Sequence, residues 1–369
     1  MTITSIQAAE QSAARNIMAA LSILLLAATI ALGSTAPARA TTIPPELVVE
    51  AWTRQTTHPL VGRIWIARDD RVIDGPALSR GIIVGFPIVD AIGTKPGQLL
   101  LLGEIHDNPE HHLFRAGLID AVTGPSAFGR AAHPAIVAEH IRADQSPALE
   151  AFARPSTASA NQRAEHLFEL LEWQRSGWPD ARIFQPLYTA IIEARLPILP
   201  GDTPRERIRA LARGGITALD STEAARLGLA RDWPAPLADA LATELKGSHC
   251  GMLPDAAIPG MSFAQRFRDA HLADAMLTAA DRHDGAILLA GNGHIRTDRG
   301  VPWYLRIRET SRPILSIMLA EVEDGSTAPA AYAPRDPAGN PAIDVIVFTP
   351  RAKREDPCEK MREHMKKAK

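Results

Sequence analysis

The stretch GEIHDNPEHH, Gly103 to His112, sets three histidines and three carboxylates in ten residues of a chain with only 12 histidines among 369 residues. It follows directly on the apolar run GQLLLL. Near neutral pH histidine offers either a proton relay or a lone pair for a metal or haem iron. Carboxylates beside it serve as general bases or metal ligands. A second tetrapeptide of the same form, GNGH ending at His294, follows the apolar run AILLA. In each, glycine permits a sharp turn and a close approach of backbone or ligand. One such tetrapeptide alone is a weak signal, since a helix-capping turn with a solvated histidine would look the same. Two of them at the ends of similar runs point to a shared site.

Other runs bring polar groups to the same kind of place. PAIVAEH ends in Glu139 and His140, and RLPILPGD ends at Asp202. Side chains alternate along a strand, so one of Glu139 and His140 points inward, and Glu139 is the favoured one. His111 and His112 fall in a first helical turn and cannot both face the site. His112, six residues past His106, can be turned back to it. In KGSHCGMLP, His249 and Cys250 are candidate ligands for a soft metal or haem iron. The equal alternative for Cys250 is a buried thiol or a bond to Cys358, the only other cysteine. Tyr304, ten residues after His294, is either a phenolate ligand to ferric haem or a packing residue. The catalytic candidates are therefore Glu104, His106, Glu139 and His294, with His106, His294 and Glu139 also the metal set. Tyr304, His249, Cys250, His112 and Arg296 are the cofactor-binding candidates.

The elements that must position these groups are legible in outline. LVGRIWIARDDRVI reads as two short strands about a charged turn. GIIVGFPIVDAI is apolar and β-branched, though broken by Gly and Pro. QLLLLGEIH, PAIVAEH, RLPILPGD, GAILLAGNGH and PILSIMLAEV are near-continuous apolar runs, as buried parallel strands are. AIDVIVFTP reads as an edge strand. Asn108 can cap a helix with Pro109 at its first position. NQRAEHLFELLEWQRSGW and MSFAQRFRDAHLADAMLTAADRH carry helical apolar spacing. The alternation predicts an α/β fold, a mainly parallel sheet flanked by helices with a smaller helical subdomain from insertions in 146–178 and 203–260. In such sheets ligands bind beyond the carboxyl ends of the strands, where these polar groups would converge.

The chain's ends and composition bound the rest. Arg15 precedes a long uncharged apolar run that closes in Ala38-Arg39-Ala40, the form of a signal-peptidase site, so residues 1–40 read as a signal peptide cleaved near Ala40. A membrane anchor is the alternative for that run. Cleavage would remove Glu10, Arg15 and Arg39 and move the net charge from −2 to −3. This near-neutral balance gives no case for nucleic acid. The remaining 329 residues (369 minus 40) suffice for one large domain over 41–350. A basic tail, 351–369, follows. There is no G-x-S-x-G elbow, H-E-x-x-H helix or phosphate-binding P-loop.

Five strings, LLLGEIHDNPEHH, AIVAEH, SHCGMLP, MSFAQRFRDAHLADAM and LLAGNGHIRTDRGVPWYL, run in order over residues 99–305, with REDPCEKM near the end. In these the sequence resembles the ChaN-like haem-binding uptake proteins of the Tiki superfamily. The resemblance implies an α/β core with a smaller helical part and an iron- or haem-related role in bacterial envelopes. In the wider superfamily, paired G-x-x-H motifs and a glutamate form the catalytic or metal site of hydrolases. On matching positions this implies Glu104, His106, Glu139 and His294. In the ChaN branch, haem held by tyrosine with help from histidine in a dimer is implied, with Tyr304 the candidate by position. No lipobox cysteine lies near Ala40, a departure from lipoprotein members. The expectation is an exported, periplasmic haem-binding protein for haem or iron uptake or trafficking, with an envelope haem receptor or transporter as partner and a homodimer allowed. The alternative is a hydrolase using the paired motifs, with or without a divalent metal.

Overall fold

Leu99–Leu102 and Ala286–Leu289, the runs before the two G-x-x-H tetrapeptides, are strands buried at every residue. That burial on both faces is why they carry no polar alternation. The computed structural model describes residues 43–73, 97–123, 133–308, 311–356, 358–359 and 361–363. The expected leader (1–40), the apolar segment 81–92 and the end of the basic tail (364–369) lie outside the described residues.

The strands are β1 (Ile64–Ile66), β2 (Arg71–Ile73), β3 (Leu99–Leu102), β4 (Ala135–Arg142), β5 (Ile198–Asp202), β6 (Ala286–Leu289), β7 (Ile314–Glu321) and β8 (Val345–Thr349). They form one eight-stranded sheet in the order β2-β1-β8-β7-β3-β6-β4-β5. The β1–β2 and β1–β8 pairs are antiparallel, and every other pair is parallel. From β3 the chain crosses to β4, steps out to β5, returns as β6 between β3 and β4, and then crosses to β7 on the other side of β3. This reversal is the switch point at which such sheets open a crevice. The register is tight there, with Leu102 and Ala138 both opposite Leu289. The polar residues that follow these three therefore leave the sheet side by side.

The helices are α1 (Pro45–Gln55), α2 (Pro109–Thr123), α3 (Ser146–Phe152), α4 (Ala160–Leu170), α5 (Trp173–Ser176), α6 (Ala181–Glu193), α7 (Arg205–Gly214), α8 (Ser221–Arg226), α9 (Ala235–Ser248), α10 (Ile258–Ala280) and α11 (Val301–Ile307). Helix α2 starts as its sequence demands. The Asn108 side-chain oxygen accepts from the Glu110 amide at 2.9 Å and Pro109 sits first. Helix α10 packs on β4, β5 and β6. The helices of 146–178 and 203–260 belong to the same compact unit as the sheet, Thr42–Lys369.

Two expectations need correction. AIDVIVFTP supplies β8, which is internal, because the β1–β2 hairpin pairs with its outer side and all five of its residues are buried. The helix over NQRAEHLFELLEWQRSGW breaks in two. Glu172 takes a left-handed φ of 49°, and Gln145 donates to the Leu171 carbonyl at 2.8 Å, a group that a continuous helix would have used.

Cys250 and Cys358 form a disulfide across 108 residues, with their Cα atoms 5.6 Å apart. It ties the turn after α9 to the segment after β8. By chain entropy, a closed loop of this size stabilises by up to about 4.7 kcal/mol. Reductant is expected to lower the urea midpoint of the native protein but not that of Cys250→Ser/Cys358→Ser. An unmoved native midpoint would show that the bond contributes nothing to stability.

Candidate functional site

The two tetrapeptides hold each other in place. A Cβ on Gly103 would lie 2.3 Å from Asn292 Oδ1 and 2.5 Å from Ile295 Cδ1, and one on Gly291 would lie 3.0 Å from the His106 ring. The Asn292 amide donates to the Glu104 carbonyl at 3.0 Å. Each glycine is thus needed because the other motif passes over it.

Glu104, buried at 2% exposure, organises one half of the site. Its Oε1 accepts from His106 Nδ1 at 2.7 Å and from His140 Nε2 at 2.8 Å. Its Oε2 faces the Arg115 guanidinium, with His112 Nδ1 at 3.4 Å. Arg115 also reaches the Leu102 carbonyl and His112 Nδ1. Burial lowers Arg115 to about 9, so it remains a cation at neutral pH. His112 donates through Nε2 to the His106 carbonyl at 2.9 Å, and burial lowers it to about 3. Burial, joined by Arg115, holds His140 well below its usual range. Burial is also the largest influence on His106, lowering it against the pull of Glu139. His106 therefore presents a neutral imidazole. Its Nδ1–H is fixed on Glu104, which leaves the Nε2 lone pair without a hydrogen-bond partner among the described residues. At 37% its side chain is the most exposed of this group, and the Trp178 ring stands 4.8 Å away.

The other half is charged. Glu139 accepts from the Gly291 amide at 2.7 Å and from Arg268 at 2.8 Å, with His294 Nε2 3.2 Å distant. Burial alone would raise this carboxyl, but His294 and Arg268 outweigh it and hold it well below its usual range. Arg268 spans Glu139 and Asp202, reaching Asp202 Oδ2 at 2.7 Å. His294 Nδ1 lies 2.6 Å from Asp269 Oδ1. Burial disfavours the imidazolium, yet Glu139 and Asp269 on its two nitrogens raise it to about 10. Burial lifts Asp269 above its ordinary value in spite of His294.

The structure thus brings together Glu104, His106, Glu139 and His294, with Asp202 joined through Arg268 and His112 packed beneath. It groups His106 with Glu104 and His140, whose ligating atoms lie within 4.8 Å of one another. The oxygens of Glu139 are instead taken by Arg268, His294 and the Gly291 amide, so the expected set of His106, His294 and Glu139 is not the one assembled. His140 is a further correction. Strand alternation left it outside, but helices cover the strand where Glu139 meets Arg268 of α10 and where His140 packs on Trp173 and Phe184 and reaches Glu104, so both join the cluster.

Several cofactor candidates are engaged elsewhere. Tyr304 is fully buried with its hydroxyl 3.3 Å from Arg266 Nε, and burial pushes its phenol up, away from phenolate. The disulfide removes the Cys250 thiolate. His249 Nδ1 donates to the Leu245 carbonyl at 2.8 Å, at the end of α9. Arg296 is locked on Asp298 and the Arg335 carbonyl, tying down a loop. His112 has both nitrogens occupied. Its neighbour His111 faces away, accepting from the Ile105 amide and pairing with Thr349. Sequence reasoning did not find Arg115, Arg268, Asp269 or Trp178. The adjacent Arg268-Asp269 pair inside an amphipathic helix was the available signal, since a buried pair of charges needs partners.

The profile of the family described as haem-binding uptake, Tiki superfamily, ChaN, matches residues 94–305, more than half of the chain. No curated protein matches. Among solved structures, that of ChaN of Campylobacter jejuni, described for cofacial haem binding, is similar with a TM-score of 0.53 at 17% identity, covering 77% of this chain and 95% of that one. This likeness shows the fold. A Bacillus cereus protein aligns at a TM-score of 0.32 and 14% identity, over 64% of this chain and 68% of its own, too low to carry an argument.

Gly103→Ala would force its Cβ into Asn292 and Ile295, so a loss of about 1–3 kcal/mol is expected in denaturant unfolding. Gly291→Ala, meeting only a ring edge at 3.0 Å, should shift the His106 NMR resonances with a smaller loss. Equal losses for the two would contradict this packing. His294 has a folded value of about 10 against an ordinary 6.5. Its ion pairs therefore stabilise fully below pH 6.5, and that contribution is lost as the pH rises through about 10. Over that interval the melting temperature of the native protein should fall more steeply than that of His294→Gln.

Proposed function

The chain belongs to the ChaN haem-binding uptake family of the Tiki superfamily, and from that membership we propose that it binds haem at the strand-end site and serves haem or iron uptake or trafficking in the cell envelope. The observation that carries the site assignment is His106. It is neutral, partly exposed, fixed in tautomer by Glu104, and its Nε2 has no hydrogen-bond partner among the described residues. A neutral imidazole with a carboxylate on its other nitrogen is the form that ligates haem iron. The residues present therefore fit the group. His106 would hold the iron and Trp178 would wall the ring. Glu104 and Arg115 would keep His106 oriented while carrying no charge into the ligand's path. Bound haem would supply the iron that makes this a carrier's cargo site. Export through the 1–40 leader, delivery to an envelope receptor or transporter, and assembly as a homodimer belong to the same proposal.

A second reading is supported by the approach of Glu104, His106 and His140, which together could hold a divalent metal such as zinc. Against it, Arg115 sits on Glu104 and a cation would have to compete with that guanidinium. Nothing in the comparisons favours the hydrolase alternative.

Titration of the protein with ferric haem should give a saturable Soret shift that His106→Ala weakens at least about tenfold, the scale expected on losing a ligand set in a carboxylate-oriented site. Tyr304→Phe should leave the spectrum unchanged. A titration that never saturates would sink the haem reading and turn attention to zinc binding by the same residues.

A further inference from the structure

The end of the sheet away from the two motifs holds another recess. Leu149 and Phe152 of α3, Ile192 of α6, Leu196, and Ile198 at the start of β5 line a cavity of about 350 Å³. Asp202, at the other end of β5, is the residue joined to the strand-end site through Arg268. The cavity therefore lies the length of the strand, roughly 13 Å, from that site. Its lining is apolar apart from two arginines, Arg163 and Arg195. Among the described residues the lining holds no carboxylate, and no histidine, tyrosine, cysteine or methionine that could ligate iron.

Neither arginine has an ion pair among the described residues. The half-buried Arg163 guanidinium is held over the Phe152 ring, 4.7 Å from its centroid, and its Nη2 donates to the Phe152 carbonyl at 3.3 Å. Arg195 is exposed, and its guanidinium has no partner among the described residues. Its backbone is the more unusual feature. Arg195 follows the last turn of α6 with a left-handed φ of 56°. Its amide donates to the Ile192 carbonyl at 3.0 Å and the Leu196 amide to that of Ile191 at 3.1 Å, which closes the helix. Glycine is the ordinary residue at that place in such a cap, because a side chain there is strained. A strained residue that carries an unpaired charge to a cavity points to use of that charge. The negative end of α6 also attracts a cation, but that cannot account for Arg163, which comes from α4 to the same cavity.

We propose that this cavity binds a medium-chain fatty acid, with its apolar chain between α3 and the start of β5 and its carboxylate at Arg163 and Arg195. An apolar recess with two cations and no acid suits a ligand that has an apolar body and one anionic head. Burial of the chain supplies most of the affinity. The guanidiniums choose the head, since their planar forks meet a carboxylate with paired hydrogen bonds. The recess takes a single free chain, whereas a lipid surface would meet it only at its rim. Haem finds no ligand for its iron here, so this inference does not rest on the haem reading.

The test is calorimetric titration of the full chain with decanoate, decanol and acetate. Decanoate should saturate, about fivefold more tightly than decanol, whose head carries no charge; this is the upper end for an exposed ion pair. Acetate, with the charge and no chain, should not saturate. The preference for decanoate over decanol should shrink as salt is raised. Arg195→Gly suits the left-handed backbone, so its melting temperature should be no lower than the native one. In that variant decanoate should fall to the affinity of decanol, with decanol unchanged and the ferric haem titration matching the native protein's. Equal affinity for decanoate and decanol, or full decanoate affinity in Arg195→Gly, would overturn the proposal. A weakened haem titration in that variant would do the same, by making the cavity part of the haem site. Binding of phosphatidylglycerol vesicles without binding of decanoate would mark a lipid-facing surface and not a fatty-acid site. No saturation by decanoate ends the proposal and leaves the haem reading untouched.

Discussion

A carboxylate buried at the end of a central strand must be matched by donors or cations, or the fold loses several kcal/mol. Glu104 is that carboxylate, and the strand-end region is arranged around it. Two histidines donate to one oxygen and an arginine faces the other. The Arg115 guanidinium comes from α2, which Asn108 and Pro109 start at once after the motif, so helix and strand are bound into one unit by a charge pair. His106 owes its orientation to the same carboxylate. Its position thus follows from the need to satisfy Glu104 as much as from any demand of a ligand.

The two G-x-x-H motifs are alike in sequence and unlike in electrostatics. His106 is desolvated with no anion bonded to its outer nitrogen and stays neutral. His294 is desolvated as well, but Glu139 and Asp269 take both of its nitrogens and hold it charged. Environment sets the two states apart, as it does wherever paired titratable groups are given different roles. The charged half, with Arg268 bridging Glu139 and Asp202, joins β4, β5, α10 and the second motif. It reads as a clamp that ties these elements together, while the neutral half holds the more exposed histidine, His106.

The topology makes this division possible. Because β6 returns between β3 and β4, the second motif is inserted between the first motif and Glu139, and Gly103 and Gly291 are required where the loops cross. Strands arranged in chain order would have separated the two histidines. The disulfide from Cys250 to Cys358 adds a tie between the α9 turn and the segment after β8, which itself reaches the Glu104 loop through Arg354 and Asp107.

The apolar runs and their polar ends, read alone, determined the parallel strands, the capped start of α2 and the convergence of Glu104, His106, Glu139 and His294, because burial on two faces and strand-end placement leave a local signature. Sequence period could not say that β8 is internal, since that depends on a hairpin from residues nearly 300 positions earlier. Nor could it place His140, which meets Glu104 among rings from other elements, or find Arg115 and Arg268, whose partners lie on other elements. Tyr304, His249, Cys250 and Arg296 carried the right chemistry for ligands, but packing gave each another partner. Residue type and local pattern set what a side chain can do. Which atoms it faces, and in which protonation state, was decided only when distant segments were brought into contact.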